Sequence, residues 1–115
     1  MNMKGSLPLL ILMVLSTGPS HGYRIVRRIH ERSGGALDFK EGTLYPALHT
    51  LEDQGLIEGY DQLEDGRTRR NYRITDRGRT ALEQGRQEWR DYAQAVNLGR
   101  PVYRAPWTFP AKYLS

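Results

Sequence analysis

At 115 residues, 38% hydrophobic and 26% charged, the chain has the size of one domain with a modest core and a composition ordinary for a soluble globular protein, which argues against wholesale disorder. It has no cysteine, which excludes a disulfide scaffold, a cysteine zinc site, a thiol nucleophile and a thiol redox sensor. Seventeen Lys and Arg against thirteen Asp and Glu leave +4; fourteen of the cations are Arg, six of them at positions 67–79 beside a single acid, Asp76, which favours a polyanionic partner.

Lys4, an apolar run over 7–15 and Ser16-Thr17-Gly18 have the outline of a secretory signal, yet the run also has the length of a buried helix and is too short to span a membrane. Read as structure, Ser6 caps a helix over about 7–16, with Pro8 tolerated in its first turn and Gly18-Pro19 as its stop. This helix is apolar nearly all round, so one face is expected on the core and another on a partner subunit. Ser20 is expected to cap a second helix over about 22–32, with Ile25, Val26 and Ile29 as its inner stripe and Arg24, Arg27, Arg28 and Glu31 outside.

A third helix is expected over about 41–54, turning Leu44, Leu48 and Leu51 inward, limited at its start by Pro46 and ended by Gly55. Strands over 56–63 and 70–74 then flank an Asp65-Gly66 hairpin turn, with Tyr72 and Ile74 on one face and Arg73 on the other. Thr75 caps a fourth helix to about residue 97, with Asp76 in its first turn and a sparse apolar series, Leu82, Trp89, Tyr92, Ala93 and Val96. At about 30 Å it is longer than a small winged domain needs, so it is expected to reach a second chain. From Leu98 onward three prolines and four large aromatics make a tail, which either docks on an apolar groove of the dimer, the favoured reading, or hangs free.

The fold class expected is mainly α with a small β-hairpin: a winged helix-turn-helix over 1–74, a C-terminal dimerisation helix over 75–97 and a Pro- and aromatic-rich tail over 98–115. In that layout the third helix is the DNA reader. Thr43, Tyr45, Pro46, His49 and Thr50 face outward near its start, with Lys40 and Gly42 at its entry; hydroxyls, imidazole and ammonium suit phosphates and base edges. His49 alone reads better as a solvated surface residue. In the wing, Arg67, Arg69, Arg70 and Arg73 present planar donors to phosphate or a minor groove, against the alternative of a basic loop partly neutralised by Asp61, Glu64 and Asp65. The three histidines lie on separate elements without ligand spacing, and no nucleophile or phosphate-loop motif occurs, so no catalytic residue, metal site or cofactor is assigned. Trp89 is either dimer core or, paired with its copy across a dimer axis, a flat slot for a planar ligand beside Tyr92.

The segments His21-Gly22-Tyr23, Gly42-Thr43-Leu44-Tyr45-Pro46-Ala47-Leu48, Leu51-Glu52, Gly55-Leu56-Ile57, and Arg70 with Tyr72-Arg73-Ile74-Thr75 and Gly78 resemble the PadR family of bacterial transcriptional regulators over roughly residues 7–90. The resemblance implies a cytoplasmic homodimeric repressor on double-stranded DNA, with Tyr23 added to the DNA-facing set. It also implies a C-terminal helix packed on the partner's first helix, and release by phenolic or hydrophobic, often cationic, compounds. In one multidrug-binding branch a tryptophan fourteen residues after the wing-exit Thr stacks on the ligand, and Trp89 stands fourteen after Thr75, which marks Trp89 and Tyr92 as effector candidates. The chain departs from larger members in lacking a second helical bundle, and its tail matches nothing in the family pattern. Two other classes remain open: a winged-helix module for protein or RNA contact, and a ligand-binding dimer without regulatory function.

Overall fold

A computed structural model of the chain describes residues 3–97, with side chains over 7–95. In chain order the elements are α1 (Met3–Leu15), β1 (Ser20–His21), α2 (Gly22–Arg32), α3 (Glu41–Asp53), β2 (Ile57–Glu64), β3 (Arg67–Ile74) and α4 (Asp76–Asn97). The strands form one antiparallel sheet in the order β1-β3-β2. The expected tail, and the side chain of Val96, lie outside the described residues.

The helix α1 is the centre of the domain. Its residues Leu7 and Leu10 through Leu15 are buried, with α2, α3, α4 and β3 packed around it. The face expected to await a partner is therefore covered by the chain itself, and only Pro8 and Leu9 among the described apolar side chains stay partly open. Leu9 lies under Gly85 of α4, where a Cβ would come within 2.7 Å of the leucine Cδ1. The helix also starts earlier than expected. Ser6 is inside it rather than capping it, and Pro8 stands in the second turn, where its missing N–H removes one bond close to the helix start.

Ser20 does not cap α2. It is buried in β1 opposite Tyr72, and its hydroxyl donates to the His21 carbonyl at 3.2 Å. His21 takes the N-cap, its Nδ1 accepting from the Arg24 N–H at 3.3 Å. A two-residue strand carries no alternation, so pairing with β3, not local sequence, decides this joint.

The third helix follows its leucine spacing, with Leu44 and Leu48 at 0% and Leu51 at 1% exposure. Pro46 is its sixth residue and costs the bond that would reach the Gly42 carbonyl. Gly55, at φ 73°, ends it, and the Leu56 N–H returns to the Leu51 carbonyl at 2.9 Å. Asp65 and Gly66 both have positive φ, 51° and 77°, the type I′ geometry whose twist suits a two-residue hairpin. That turn pairs Glu64 with Arg67 and so starts β3 three residues before the expected Arg70. The segment 67–69 is polar and exposed, leaving no pattern from which to read a strand.

Thr75 caps α4 as expected: its Oγ1 accepts from the Gly78 N–H at 3.0 Å and donates to the Gly55 carbonyl at 2.7 Å. A Cβ on Gly78 would collide with the Leu56 carbonyl. One knot thus ties the exit of α3, the end of the wing and the start of α4. The 22 residues of α4 extend about 33 Å at the usual helical rise.

Candidate nucleic-acid interface

With the three leucines inward, Lys40, Gly42, Thr43, Tyr45, Pro46, His49 and Thr50 are all exposed on the outer side of α3. They divide between two faces. Thr43, Pro46 and Thr50 border an apolar groove of about 580 Å³ shared with Leu7, Pro8 and Phe39. Tyr45 turns toward α2, where a Cβ on Gly22 would meet its hydroxyl at 2.7 Å, so Gly22 is small because the tyrosine lies across it.

The wing arginines do not behave alike. In the antiparallel register Asp61 stands opposite Arg70 and Glu58 opposite Arg73. Arg70 reaches Asp61 and Glu52 of α3, each at 3.4 Å, and Arg73 reaches Glu58 at 2.6 Å while lying over the Tyr60 ring at 4.8 Å. Desolvation works against the charge on Arg70, but its hydrogen bond to Asp61 and the carboxylates of Glu52 and Asp61 outweigh it and raise the guanidinium pKa. For Arg73 the hydrogen bond to Glu58 leads the same upward shift. Four acids and four arginines balance across β2, its turn and β3, so the hairpin as a whole is neutral. In this register the carboxylates of β2 and α3 hold Arg70 and Arg73, while β3 itself carries no acid. Arg67 and Arg69, nearer the tip, stay exposed.

A stronger concentration of positive charge lies at α2. An open cleft of about 830 Å³ runs between the β1–α2 joint and the wing, lined by His21, Tyr23, Arg24, Arg27, Arg28 and Arg69 among others. Tyr23 is 56% exposed, with the Arg27 guanidinium 5.9 Å from its ring centre, and Arg28 donates to the Thr17 hydroxyl at 2.7 Å. Burial first, then the charge of Arg69, lowers the His21 pKa; Glu64 opposes this and Arg24 adds to it. From sequence, Arg24, Arg27 and Arg28 read only as an outer helix face. Their i, i+3, i+4 spacing was the available signal, but no local pattern puts that face beside the wing.

The joint at His21-Gly22 connects these parts. It touches Tyr45 of α3 on one side and Arg69 of the wing on the other, with Arg69 Nη1 3.2 Å from His21 Nε2. Elsewhere, Trp89 and Tyr92 on α4 stack with ring centres 5.9 Å apart and planes inclined by 28°, and Tyr92 is 50% exposed. Among the described residues no cluster of metal-ligating side chains occurs, and no helix is long and apolar enough to cross a membrane.

A model of the transcriptional regulator PadR-like family matches residues 11–84. A transcriptional regulator of Mycobacterium tuberculosis is 40% identical over 80 residues, 70% of this chain and 62% of that relative. A transcriptional regulator from Clostridium thermocellum superposes with a TM-score of 0.78 at 33% identity, covering 85% of this chain and 96% of the other. Bacillus subtilis PadR, in complex with operator DNA, superposes with a TM-score of 0.63 at 29% identity, over 69% of this chain and 45% of PadR. The chain therefore spans less than two thirds of the length of the mycobacterial relative and of PadR.

Proposed function

Since the chain belongs to the PadR-like family of transcriptional regulators, we propose that it binds a pseudo-palindromic operator as a homodimer, acts as a repressor in the cytoplasm, and is released by a small hydrophobic or phenolic effector. One observation carries the DNA-binding reading. The His21-Gly22 joint holds Tyr45 of α3 and Arg69 of the wing against the same stretch of chain, so a helix with an exposed polar start and an arginine-bearing wing tip share one surface with a cleft of arginines. This is the combination that groove entry with flanking phosphate contacts requires. Tyr23, Lys40, Gly42, Tyr45, His49, Arg67 and Arg69 form the proposed DNA face, with Thr43 and Pro46, which border the apolar groove, at its edge. Arg70 and Arg73 reach phosphate only by exchanging their carboxylate partners.

The test is selection from a random duplex pool at moderate salt. A dimer should enrich two half-sites about one helical turn, roughly 34 Å, apart; enrichment of no sequence, with RNA co-purifying instead, would refute the regulator reading in favour of a protein- or RNA-contacting module. The repressor is proposed to use α4 as its dimerisation helix and the Trp89–Tyr92 stack as its effector platform. Trp89→Ala should leave operator affinity intact and abolish release by a planar hydrophobic compound in a competition assay. Unchanged release would assign the tryptophan to packing.

A further inference from the structure

His21 faces a hydrogen-bond donor at each ring nitrogen: the Arg24 backbone N–H at Nδ1, 3.3 Å away, and Arg69 Nη1 at Nε2, 3.2 Å away. A neutral imidazole accepts at one nitrogen only, and a guanidinium never accepts. The Arg24 N–H belongs to the first turn of α2 and is fixed by the helix, whereas the guanidinium swings on a long side chain. Nδ1 is therefore the acceptor, which puts the proton on Nε2. Nε2–H and the Arg69 guanidinium then stand side by side as two donors, neither able to satisfy the other. Both open on the arginine-lined cleft.

We infer that His21 and Arg69 form a two-donor clamp for a single phosphate oxygen of the DNA backbone, an inference that rests on the DNA-binding reading above. An anionic oxygen between them accepts from both, and the net positive charge of the cleft, Arg24, Arg27 and Arg28 against Glu31, which pairs with Arg27 at 3.8 Å, favours it over a neutral acceptor. The lowered pKa of the ring agrees with a neutral imidazole in the free protein, and a neutral ring already carries the Nε2 proton that the clamp uses. The two donors come from β1 and β3, paired strands of one sheet, so a phosphate held there aligns the start of α2 and the wing on one backbone position.

His21→Asn separates the clamp from the cap, because an asparagine oxygen still caps α2 while the Nε2–H is lost. Arg69→Met removes the other donor and keeps the side-chain length. Each single substitution should weaken binding to a duplex roughly tenfold at fixed salt, the size expected of a hydrogen bond to a charged group. The double variant should lose less than the product of the two single losses, because the two donors hold one oxygen and each positions it for the other. Wild-type affinity in His21→Asn, or losses that multiply in the double variant, would overturn the clamp while duplex binding itself stands. Failure of the wild-type chain to bind any duplex would overturn the DNA reading and the clamp together.

The source of the phosphate is read from the His21 Nε2 nitrogen-15 resonance, which should shift on adding duplex and stay still with millimolar inorganic phosphate. Saturation by inorganic phosphate, with no shift on duplex, would make this a small-anion site and overturn the assignment to DNA. Should His21→Asn fail to fold, the same resonance in Arg69→Met decides: a duplex-induced shift as large as in wild type would overturn the pairing of the two donors.

Discussion

His21 shows how much one side chain can carry when three elements meet on it. It ends β1, caps α2 and lies against the wing, and its ring nitrogens are arranged for the neutral form. Burial, reinforced by the charge of Arg69, lowers its pKa beneath the ordinary 6.5. As pH falls, the unfolded chain then takes up this proton before the folded one does. The stability contributed is full above 6.5 and is lost as pH drops through 6.5 toward the folded pKa, and protonation also removes the acceptor that caps α2. Urea midpoints measured on either side of pH 6.5 should fall on the acid side for the wild type. The fall should be smaller in His21→Asn, and an equal fall in both would assign the pH dependence to other groups. From sequence His21 reads only as one of three histidines without ligand spacing and as the start of the His21-Gly22-Tyr23 segment, because its partner Arg69 is 48 positions away.

At the scale of elements, the wing is coupled to α3 rather than hung beside it. Arg70 bridges Asp61 of β2 to Glu52 of α3, and Gly59 leaves the space: a Cβ there would lie 2.9 Å from both the Glu52 carboxylate and the Arg70 Nε. Exposed ion pairs of this kind add little to stability, so the bridge acts more on wing orientation than on folding. Glu52→Gln should release Arg70 toward phosphate, raise affinity for random duplex and steepen the salt dependence by about one contact. The preference for operator over random DNA should shrink as the wing loses its fixed angle to α3. Fluorescence titrations over a salt series would check both effects, and an unchanged slope would show that Arg70 stays on Asp61. The hairpin itself was legible in Asp65-Gly66. The pairing that neutralises Arg70 and Arg73 was not, because it depends on register, and β3 begins in residues with no alternating pattern.

For the molecule as a whole, α1 is the shared core. Its side chains pack against α2, α3, β3 and α4, so the recognition helix, the sheet and the long helix are stabilised by the same apolar surface. Ile11, at 0% exposure, lies inside that cluster. Ile11→Ala should cost about 2–5 kcal/mol, the usual range for truncating a well-packed aliphatic core residue. Because α2, α3, α4 and β3 all lean on α1 and β2 is paired to β3, probes in the wing and in α4 should lose structure in one coincident transition, in the variant as in the wild type. A separate, earlier melting of α4 would show that it is held independently of the domain.

Local pattern is enough for the helices α2 to α4 to within a residue or so, the Asp65-Gly66 hairpin turn and the Thr75 cap, because each depends on neighbours a few positions apart: leucines at helical spacing, a Gly after the helix, Asp-Gly in a hairpin, Thr before Asp76. It also sufficed for the PadR resemblance, which rests on contiguous segments. Tertiary structure alone decided that α1 is enclosed by its own chain, that Ser20 belongs to a strand, that Arg70 and Arg73 are held by carboxylates, and that the α2 arginines join Arg69 in one cleft. Each of these depends on distant segments being brought together, and the energy of an apolar face or a charge is set by what lies against it. That partner is chosen by packing and strand register, which no local pattern records.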